Sequence, residues 1–296
     1  MSNVDLKGVF PPIATPFLEG RVAYDKLASN VEKWSKTGIR GIVVFGSNGE
    51  SVFLSEEEKC RVVETVVQSS PKDRPTIVGS GCESTLETLK LTEACAGRGA
   101  DAALIITPHF YGGKMTEKAL INHYTELANR SSLPLLIYNV PKFTHINVTV
   151  NLVAILSQHP NIMGIKDSAG NVAQLGEFLN GVHKDFDVLV GTAGVLFGAL
   201  TLGCAGGILA LANVAPEICV RIQDLIHAGR LEEARTLQLK MIPVNKAITA
   251  TYGIAGLKAA LDMLGYFGGD PRPPLLPASG KEKDEIREIL TAADLL

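Results

Sequence analysis

The chain has 296 residues, of which 46% are hydrophobic and 20% charged, and its 28 basic and 31 acidic residues leave a net charge of -3. This composition is typical of a globular protein with one large core, and the even spread of charge argues against a nucleic-acid partner. Five scattered cysteines without a C-x-x-C pair, no signal-peptide pattern and no apolar run near the roughly 18 residues of a membrane span predict a soluble, cytoplasmic protein.

Eight short apolar segments rich in Val, Ile and Leu are predicted to form strands buried on both faces. In chain order they are "GVFPPIATPF" from Gly8, "RGIVVFGSNGE" from Arg40, "PTIVGSG" from Pro75, "DAALIITP" from Asp101, "LPLLIYNVP" from Leu133, "NIMGIKDS" from Asn161, "DVLVGTAG" from Asp187 and "AGGILALAN" from Ala205. Between these segments, Ser55, Ser84 and Thr116 precede amphipathic stretches and predict helix N-termini. Strands and helices that alternate in this way predict an α/β fold, the (β/α)8 TIM barrel.

The remainder of the chain has helical periodicity only. We therefore predict a barrel over residues 1–225 and a C-terminal helical appendage over 226–296. A segment rich in Gly and Pro, residues 265–277, is predicted to connect the last helices.

One lysine stands out because it ends a strand predicted to be buried. Lys166 closes the apolar run of "NIMGIKDSAG", Tyr138 ends the preceding strand, and "GSNGE" ends the second strand. In a TIM barrel these three positions open onto the same mouth. An amine in a water-poor site loses its proton more readily, and the neutral amine is the nucleophile of Schiff-base chemistry. The alternatives are that Lys166 pairs with Asp167 or reaches solvent, and that Tyr138 is an ordinary core residue.

Motifs along nearly the whole chain resemble those of the pyruvate-dependent class I aldolases and lyases, which include dihydrodipicolinate synthase, N-acetylneuraminate lyase and 4-hydroxy-2-oxoglutarate aldolase. These motifs are "PPIATPF", "GSNGES", "ITPHFY", "YNVP", "GIKDS" and "RPPLLP". The pairing of "YNVP" with "GIKDS" one strand later is highly specific. Within the family, "GSNGE", "GSGCEST", "LSQHPNI" and "KDSAGN" look most like 4-hydroxy-2-oxoglutarate aldolase.

The resemblance implies roles for four of these residues. Lys166 matches the Schiff-base lysine, which condenses with the ketone carbon of a 2-oxo acid. Tyr138 matches the tyrosine that moves protons between the substrate and the bound intermediate. Ser47 and Asn48 match the pair that binds the pyruvoyl carboxylate through hydroxyl, amide and backbone donors.

The resemblance also indicates how the pocket is completed. Gly191 and Ile208 match positions on its floor, Ile208 through its backbone, and Ser168 is assigned to substrate binding. Covalent catalysis by a lysine requires neither an organic cofactor nor a metal. His109 and His145 could both lie at the mouth, but the sequence offers no third metal ligand at a suitable spacing. The family further implies a homo-oligomer, commonly a tetramer.

Two positions depart from the family pattern. Phe143 stands where dihydrodipicolinate synthases have an arginine that binds the carboxylate of aspartate semialdehyde, with Lys142 beside it. Phe110 stands where close relatives have a relay tyrosine, so either Tyr111 substitutes for it or the relay is shorter. Phe143, together with the motifs, predicts an enzyme that cleaves a 4-hydroxy-2-oxo acid, with 4-hydroxy-2-oxoglutarate as substrate and pyruvate and glyoxylate as products.

Several alternatives remain open at this point. They are an aldolase for 2-keto-3-deoxy sugar acids, a dihydrodipicolinate synthase, a metal-dependent barrel enzyme, and a 2-oxo acid binding protein without turnover. For both 4-hydroxy-2-oxoglutarate and a 2-keto-3-deoxy sugar acid, the hydrogen-bond donors expected at the rim are His109, Asn139, Lys142 and His145.

Overall fold

Eight parallel strands form the central sheet of the protein. The computed structural model describes residues 4–296. The strands are β1 (Val9–Phe10), β2 (Ile42–Val44), β3 (Thr76–Val78), β4 (Ala102–Ile106), β5 (Leu135–Asn139), β6 (Ile162–Asp167), β7 (Asp187–Val190) and β8 (Gly206–Ile208). Each lies within one of the apolar segments selected from the sequence, so all eight predicted strands are confirmed.

The sheet closes on itself. Strands β2 to β8 pair in chain order, and β8 pairs in parallel with β1. An isolated bridge between Pro12 and Val43 joins the chain after β1 to β2. There the Val43 N–H donates to the Pro11 carbonyl at 3.0 Å, and the Ile13 N–H donates to the Val43 carbonyl at 2.9 Å. The predicted (β/α)8 barrel is therefore confirmed.

The first strand is shorter than its apolar segment because proline interrupts the segment. Pro11 and Pro12 follow directly after β1, and proline has no N–H to donate to a ladder. The chain then forms a small antiparallel hairpin, Phe17–Leu18 with Arg21–Val22, before the first helix.

Helices follow the strands around the outside of the barrel. They are α1 (Tyr24–Trp34), α2 (Glu56–Ser69), α3 (Thr85–Ala96), α4 (Glu117–Arg130), α5 (Pro141–Thr144), α6 (Val150–Leu156), α7 (Val172–Gly181), α8 (Leu196–Leu202) and α9 (Pro216–His227). Ser55, Ser84 and Thr116 each accept a hydrogen bond from the backbone N–H three residues later, so the three predicted N-caps are confirmed.

The chain after the barrel is helical. Helix α10 (Leu231–Lys246) continues into a π-helical turn, Ala247–Thr251, and is followed by α11 (Gly253–Met263) and α12 (Gly280–Ala292). Residues 226 and 227 complete the last turn of α9, which packs against α8 and β1. Within residues 4–296, no helix is long and apolar enough to cross a bilayer.

The hydrophobic core has two parts, one inside the barrel and one between the barrel and its helices. Phe10, Leu136, Leu189 and Ile208 fill the interior and are fully buried. Because packed side chains fill the interior of the barrel, a substrate site must lie at one end of the strands. Tyr138 belongs to the same interior cluster and lies near the carboxyl end of β5.

Candidate active site

Lys166 lies near the carboxyl end of β6, and its side chain is buried. It is 3% exposed, and its Nζ lies 4.1 Å from the centroid of the Tyr138 ring on the neighbouring strand. This cation–π contact holds the amine beside the phenol. Among residues 4–296 the structure records no ion pair for Lys166, so the alternative in which it pairs with Asp167 is wrong.

The Asp167 carboxylate is directed away from the lysine because successive strand residues face opposite sides of a sheet. It accepts hydrogen bonds from Asn139 Nδ2 at 2.6 Å and Gln174 Nε2 at 3.3 Å. Burial raises the pKa of Asp167, while the hydrogen bond from Asn139 acts in the opposite direction. Asp167, the nearest carboxylate in the sequence, therefore forms no ion pair with the amine of Lys166.

The hydroxyl of Tyr138 contacts the loop that follows β2. Tyr138 is 5% exposed, and its hydroxyl lies 3.2 Å from the Oγ of Ser47. Ser47 begins a 3-10 turn, Ser47–Gly49, at the same end of the barrel as Lys166. The pair provides a proton path between a phenol beside the amine and a hydroxyl at the mouth.

Asn48 both shapes this turn and lines the cavity. Its Nδ2 donates to the Pro12 carbonyl at 3.3 Å. The carbonyl of Gly49, the last residue of the turn, accepts from Thr15 Oγ1 at 2.8 Å. These bonds tie the turn to the segment that follows β1. Ser47 and Asn48 thus line the same cavity as Lys166 and carry a hydroxyl and an amide, which are groups that can donate hydrogen bonds to a carboxylate.

Gly191 and Ser168 lie together after β7 and β6. The Gly191 N–H donates to the Asp167 carbonyl at 2.6 Å. A Cβ on Gly191 would overlap Ser168 Oγ and would lie 2.8 Å from Ser168 Cβ, so the serine requires a glycine opposite it. Ser168 Oγ is buried, and among residues 4–296 it has no hydrogen-bond partner. It therefore has an unused donor next to the cavity.

One cavity of about 480 Å³ brings most of the predicted site residues together. Those that line it are Lys166, Tyr138, Ser47, Asn48, Ser168 and Gly191. The C-terminal region forms the opposite wall through Asn245, the π-helical turn and Tyr252. The result is a buried amine beside a phenol, at the bottom of a pocket that could hold a small 2-oxo acid.

Comparison with known proteins identifies the family. Residues 5–293 match the model of the dihydrodipicolinate synthetase family. The chain belongs to this family. It is 38% identical to the 4-hydroxy-tetrahydrodipicolinate synthase of Methanothrix thermoacetophila over 287 residues, which cover 96% of each chain. It is 36% identical to that of Thermodesulfovibrio yellowstonii over 293 residues, 98% of this chain and 99% of the relative.

Solved structures of the family agree with the fold. The chloride-inhibited dihydrodipicolinate synthase of Acinetobacter baumannii, crystallised with pyruvate, matches with a TM-score of 0.93 and 31% identity, over 98% of this chain and 100% of that one. The expected enzyme family is thus confirmed. The relatives described here are named as synthases, so these comparisons do not support the finer likeness to 4-hydroxy-2-oxoglutarate aldolase.

Tyr111 does not line the cavity of its own chain, contrary to expectation. It is 70% exposed and packs edge-to-face on Phe110, which is 76% exposed, with ring centroids 5.0 Å apart. The Glu83 carboxylate accepts from the backbone N–H groups of His109 and Phe110 at 2.8 and 2.9 Å, and thereby fixes the loop in this direction.

Ile208 and three expected rim donors also lie outside the cavity. Ile208 is fully buried inside the barrel, and Ala210 lines the wall at β8 instead. Asn139 is buried against Asp167, and His109 Nδ1 lies 3.0 Å from Glu83 Oε1. His145 is likewise absent from the lining; Lys142 is the expected rim donor that lines it. Among residues 4–296 no three His, Cys, Asp or Glu side chains could hold a metal together.

Sequence reasoning missed a buried ion pair next to the Ser47–Gly49 turn. Glu50 directly follows the turn, and its Oε1 lies 2.6 Å from the Nζ of Lys258 on α11. Both side chains are at most 1% exposed. The "GSNGE" motif contains the glutamate, but nothing in the local sequence indicates that its partner lies in the C-terminal region.

Proposed function

We propose that this protein is a Schiff-base-forming carbon–carbon lyase that joins pyruvate to an aldehyde or releases it from a 4-hydroxy-2-oxo acid. The observation that carries this proposal is the buried amine of Lys166, 4.1 Å from the ring of Tyr138, at the carboxyl end of the barrel. The two side chains lie opposite each other in the parallel register of β5 and β6. Strand residues hold such a geometry more rigidly than loop residues.

The chemistry follows from covalent attachment. The neutral amine of Lys166 attacks the ketone carbon of pyruvate, water leaves, and an iminium forms. Loss of a proton from C3 gives an enamine, whose electron pair forms the C3–C4 bond with the aldehyde carbon. The aldehyde oxygen takes up a proton and the iminium re-forms. Hydrolysis of the product iminium then frees the lysine. In the cleavage direction the same steps run backwards, and the C3–C4 electrons return to the enamine.

Tyr138 transfers the protons that these steps require. Its hydroxyl lies 3.2 Å from Ser47 Oγ, so a proton taken from the substrate can pass along the pair towards the mouth. Ser47 and Asn48 would also bind the pyruvate carboxylate, and each charge-assisted hydrogen bond is worth roughly 1.5–3 kcal/mol.

The first candidate for the aldehyde is the one used in 4-hydroxy-tetrahydrodipicolinate synthesis, aspartate semialdehyde. Its support comes from the relatives, which share 38% and 36% identity over nearly the whole chain and carry that synthase name. Lys142 lines the cavity and is the cation available there for the carboxylate of the semialdehyde. Its Nζ currently donates to the Thr249 carbonyl at 3.1 Å.

Cleavage of 4-hydroxy-2-oxoglutarate to pyruvate and glyoxylate is the second candidate. The observation that favours it is Phe143, which lines the cavity and is 49% exposed. A phenyl ring cannot form the bidentate contact that an arginine would offer to a carboxylate. A 2-keto-3-deoxy sugar acid is the third candidate, because its hydroxyls need several polar partners and Lys142, Asn245 and Tyr252 all line the cavity.

Two experiments test these proposals. Borohydride reduction in the presence of pyruvate should add one covalent adduct, which peptide mapping should place on Lys166 and not on Lys142, the other lysine of the cavity. An adduct on Lys142, or none, contradicts the Schiff-base proposal. Comparing kcat/KM for aspartate semialdehyde with pyruvate, 4-hydroxy-2-oxoglutarate and 2-keto-3-deoxygluconate then ranks the substrates, and a preference of about tenfold corresponds to roughly 1.4 kcal/mol.

We also propose a cellular compartment and an oligomeric state for the protein. All five cysteines are unpaired and four are buried, which fits a reducing compartment such as the cytoplasm. The exposed aromatic pair Phe110 and Tyr111 supports a homo-oligomer, with a tetramer expected from the family. Light scattering of the purified protein measures the mass of the oligomer directly.

A further inference from the structure

Glu50 has an unusual position for a carboxylate. It is 2% exposed, and its backbone has φ 52° and ψ 35°, the left-handed region that residues other than glycine seldom adopt. It directly follows the turn Ser47–Gly49, which presents Ser47 and Asn48 to the cavity. Burial of a charge and a left-handed backbone both cost free energy, so other contacts must hold Glu50 there.

Those contacts come from the C-terminal region. Glu50 Oε1 pairs with Lys258 Nζ at 2.6 Å, and Glu50 Oε2 accepts from the backbone N–H of Arg272 at 2.8 Å. Lys258 Nζ also donates to the Asp270 carbonyl at 3.1 Å and lies 4.3 Å from the centroid of the Phe17 ring. Burial lowers the pKa of Lys258, and the Glu50 carboxylate opposes that effect, so Glu50 supports the charged form of the lysine.

A second ion pair reaches the same C-terminal segment without touching the turn. Arg272 donates to both Glu58 oxygens at 2.8 and 2.6 Å, and Glu58 lies in the first turn of α2. This pair is more exposed, at 16% for Arg272 and 26% for Glu58. Glu50 and Glu58 thus both bind the C-terminal segment at Arg272, but only Glu50 directly follows the Ser47–Gly49 turn.

We propose that Glu50 and Lys258 are positioning residues, whose buried ion pair fixes the Ser47–Gly49 turn in the orientation that binds the pyruvate carboxylate. The C-terminal region thereby sets the affinity of the barrel for pyruvate. A buried ion pair is weak evidence for stabilisation, since apolar pairs often stabilise a fold as well or better. Its value here is geometric, because it holds a strained residue beside Ser47 and Asn48. The inference rests on the proposed pyruvate chemistry.

The test compares Glu50→Gln with Glu58→Gln as a matched control. The measurement is the pyruvate concentration that gives half-maximal borohydride trapping, with the unfolding midpoint recorded in parallel. We expect Glu50→Gln to raise that concentration about tenfold or more, because the turn is then no longer held in its binding orientation before pyruvate arrives. At saturating pyruvate its adduct should still map to Lys166. Glu58→Gln should change the concentration less than about twofold, since its pair does not touch the turn.

The double variant Glu50→Gln with Lys258→Met separates position from stability. It buries no unpaired charge, so its unfolding midpoint should recover relative to Glu50→Gln, while its affinity for pyruvate stays weak. It also carries the test if Glu50→Gln does not fold. Wild-type affinity in the double variant, or equal effects of Glu50→Gln and Glu58→Gln, would overturn the inference. A wild-type protein that forms no adduct would instead refute the proposed function.

Discussion

Replacing Tyr138 with phenylalanine separates proton transfer from covalent attachment. In the structure the hydroxyl of Tyr138 contacts Ser47 Oγ at 3.2 Å, while its ring packs inside the barrel 4.1 Å from Lys166 Nζ. Tyr138→Phe keeps the ring and its packing and removes the proton carrier. We therefore expect the adduct with pyruvate to form at equilibrium and the turnover to fall.

The sizes of the two effects differ because of these contacts. Loss of one neutral hydrogen bond should change the free energy of unfolding by about 1 kcal/mol. Loss of a general acid–base group should lower kcat by roughly 100- to 10,000-fold, which is about 2.7–5.5 kcal/mol of activation free energy. The activity loss would then be far larger than any loss of folded protein could explain.

The assay combines steady-state turnover with borohydride trapping and intact mass. Tyr124→Phe is a matched control because Tyr124 is fully buried and its hydroxyl donates to the Ile105 carbonyl at 2.9 Å, outside the cavity. That variant should lose a similar amount of stability and keep its turnover. If Tyr138→Phe kept kcat within tenfold of the wild type, the proton relay would not include this hydroxyl.

Three other variants extend the test. Lys166→Ala should show no pyruvate adduct by mass and no turnover, and equal labelling of this variant would show that another amine reacts. Gly191→Ala should lower the catalytic efficiency and displace Ser168, because the new Cβ overlaps its hydroxyl; an unchanged kcat/KM would show that the backbone yields. Burial lowers the pKa of His123 to about 4 from its ordinary 6.5. The unfolded state therefore binds a proton that the folded state does not, so stability is full above pH 6.5 and is lost as the pH falls towards 4, by about 3 kcal/mol at most. Urea titrations should show this loss in the wild type and not in His123→Gln, whereas parallel pH profiles would contradict it.

Sequence patterns predicted the features of this protein that depend on local periodicity and on barrel topology. Apolar runs and N-caps such as Ser55 are local signals, so strands and helices could be located. Once a barrel is assumed, every strand end opens onto one mouth, so Lys166 and Tyr138 could be placed together before the structure was known. The register of β5 and β6 puts these two residues opposite each other.

The features that sequence missed depend on contacts between distant segments. The direction of Tyr111 is set by Glu83, whose carboxylate binds the backbone of the loop after β4. The partner of Glu50 is Lys258, on a helix of the C-terminal region. A side chain in a loop can point in several directions, and tertiary hydrogen bonds select one of them, so neither composition nor spacing contains the answer.

The barrel wall and the C-terminal wall of the cavity differ in how far their sequence can change without disturbing the fold. Lys166 and Tyr138 belong to strands of a closed sheet, where a shift of either would disturb the hydrogen bonds of its neighbours. The facing wall is a π-helical turn, Ala247–Thr251, with one residue more per turn than an α-helix. Deleting one residue there would convert the π turn into an α-helical one and shift Tyr252 and the start of α11, which reshapes this wall without altering the lysine. Under the proposed chemistry, changes in the C-terminal region alter which aldehyde fits the pocket, while the barrel retains the lysine and the tyrosine.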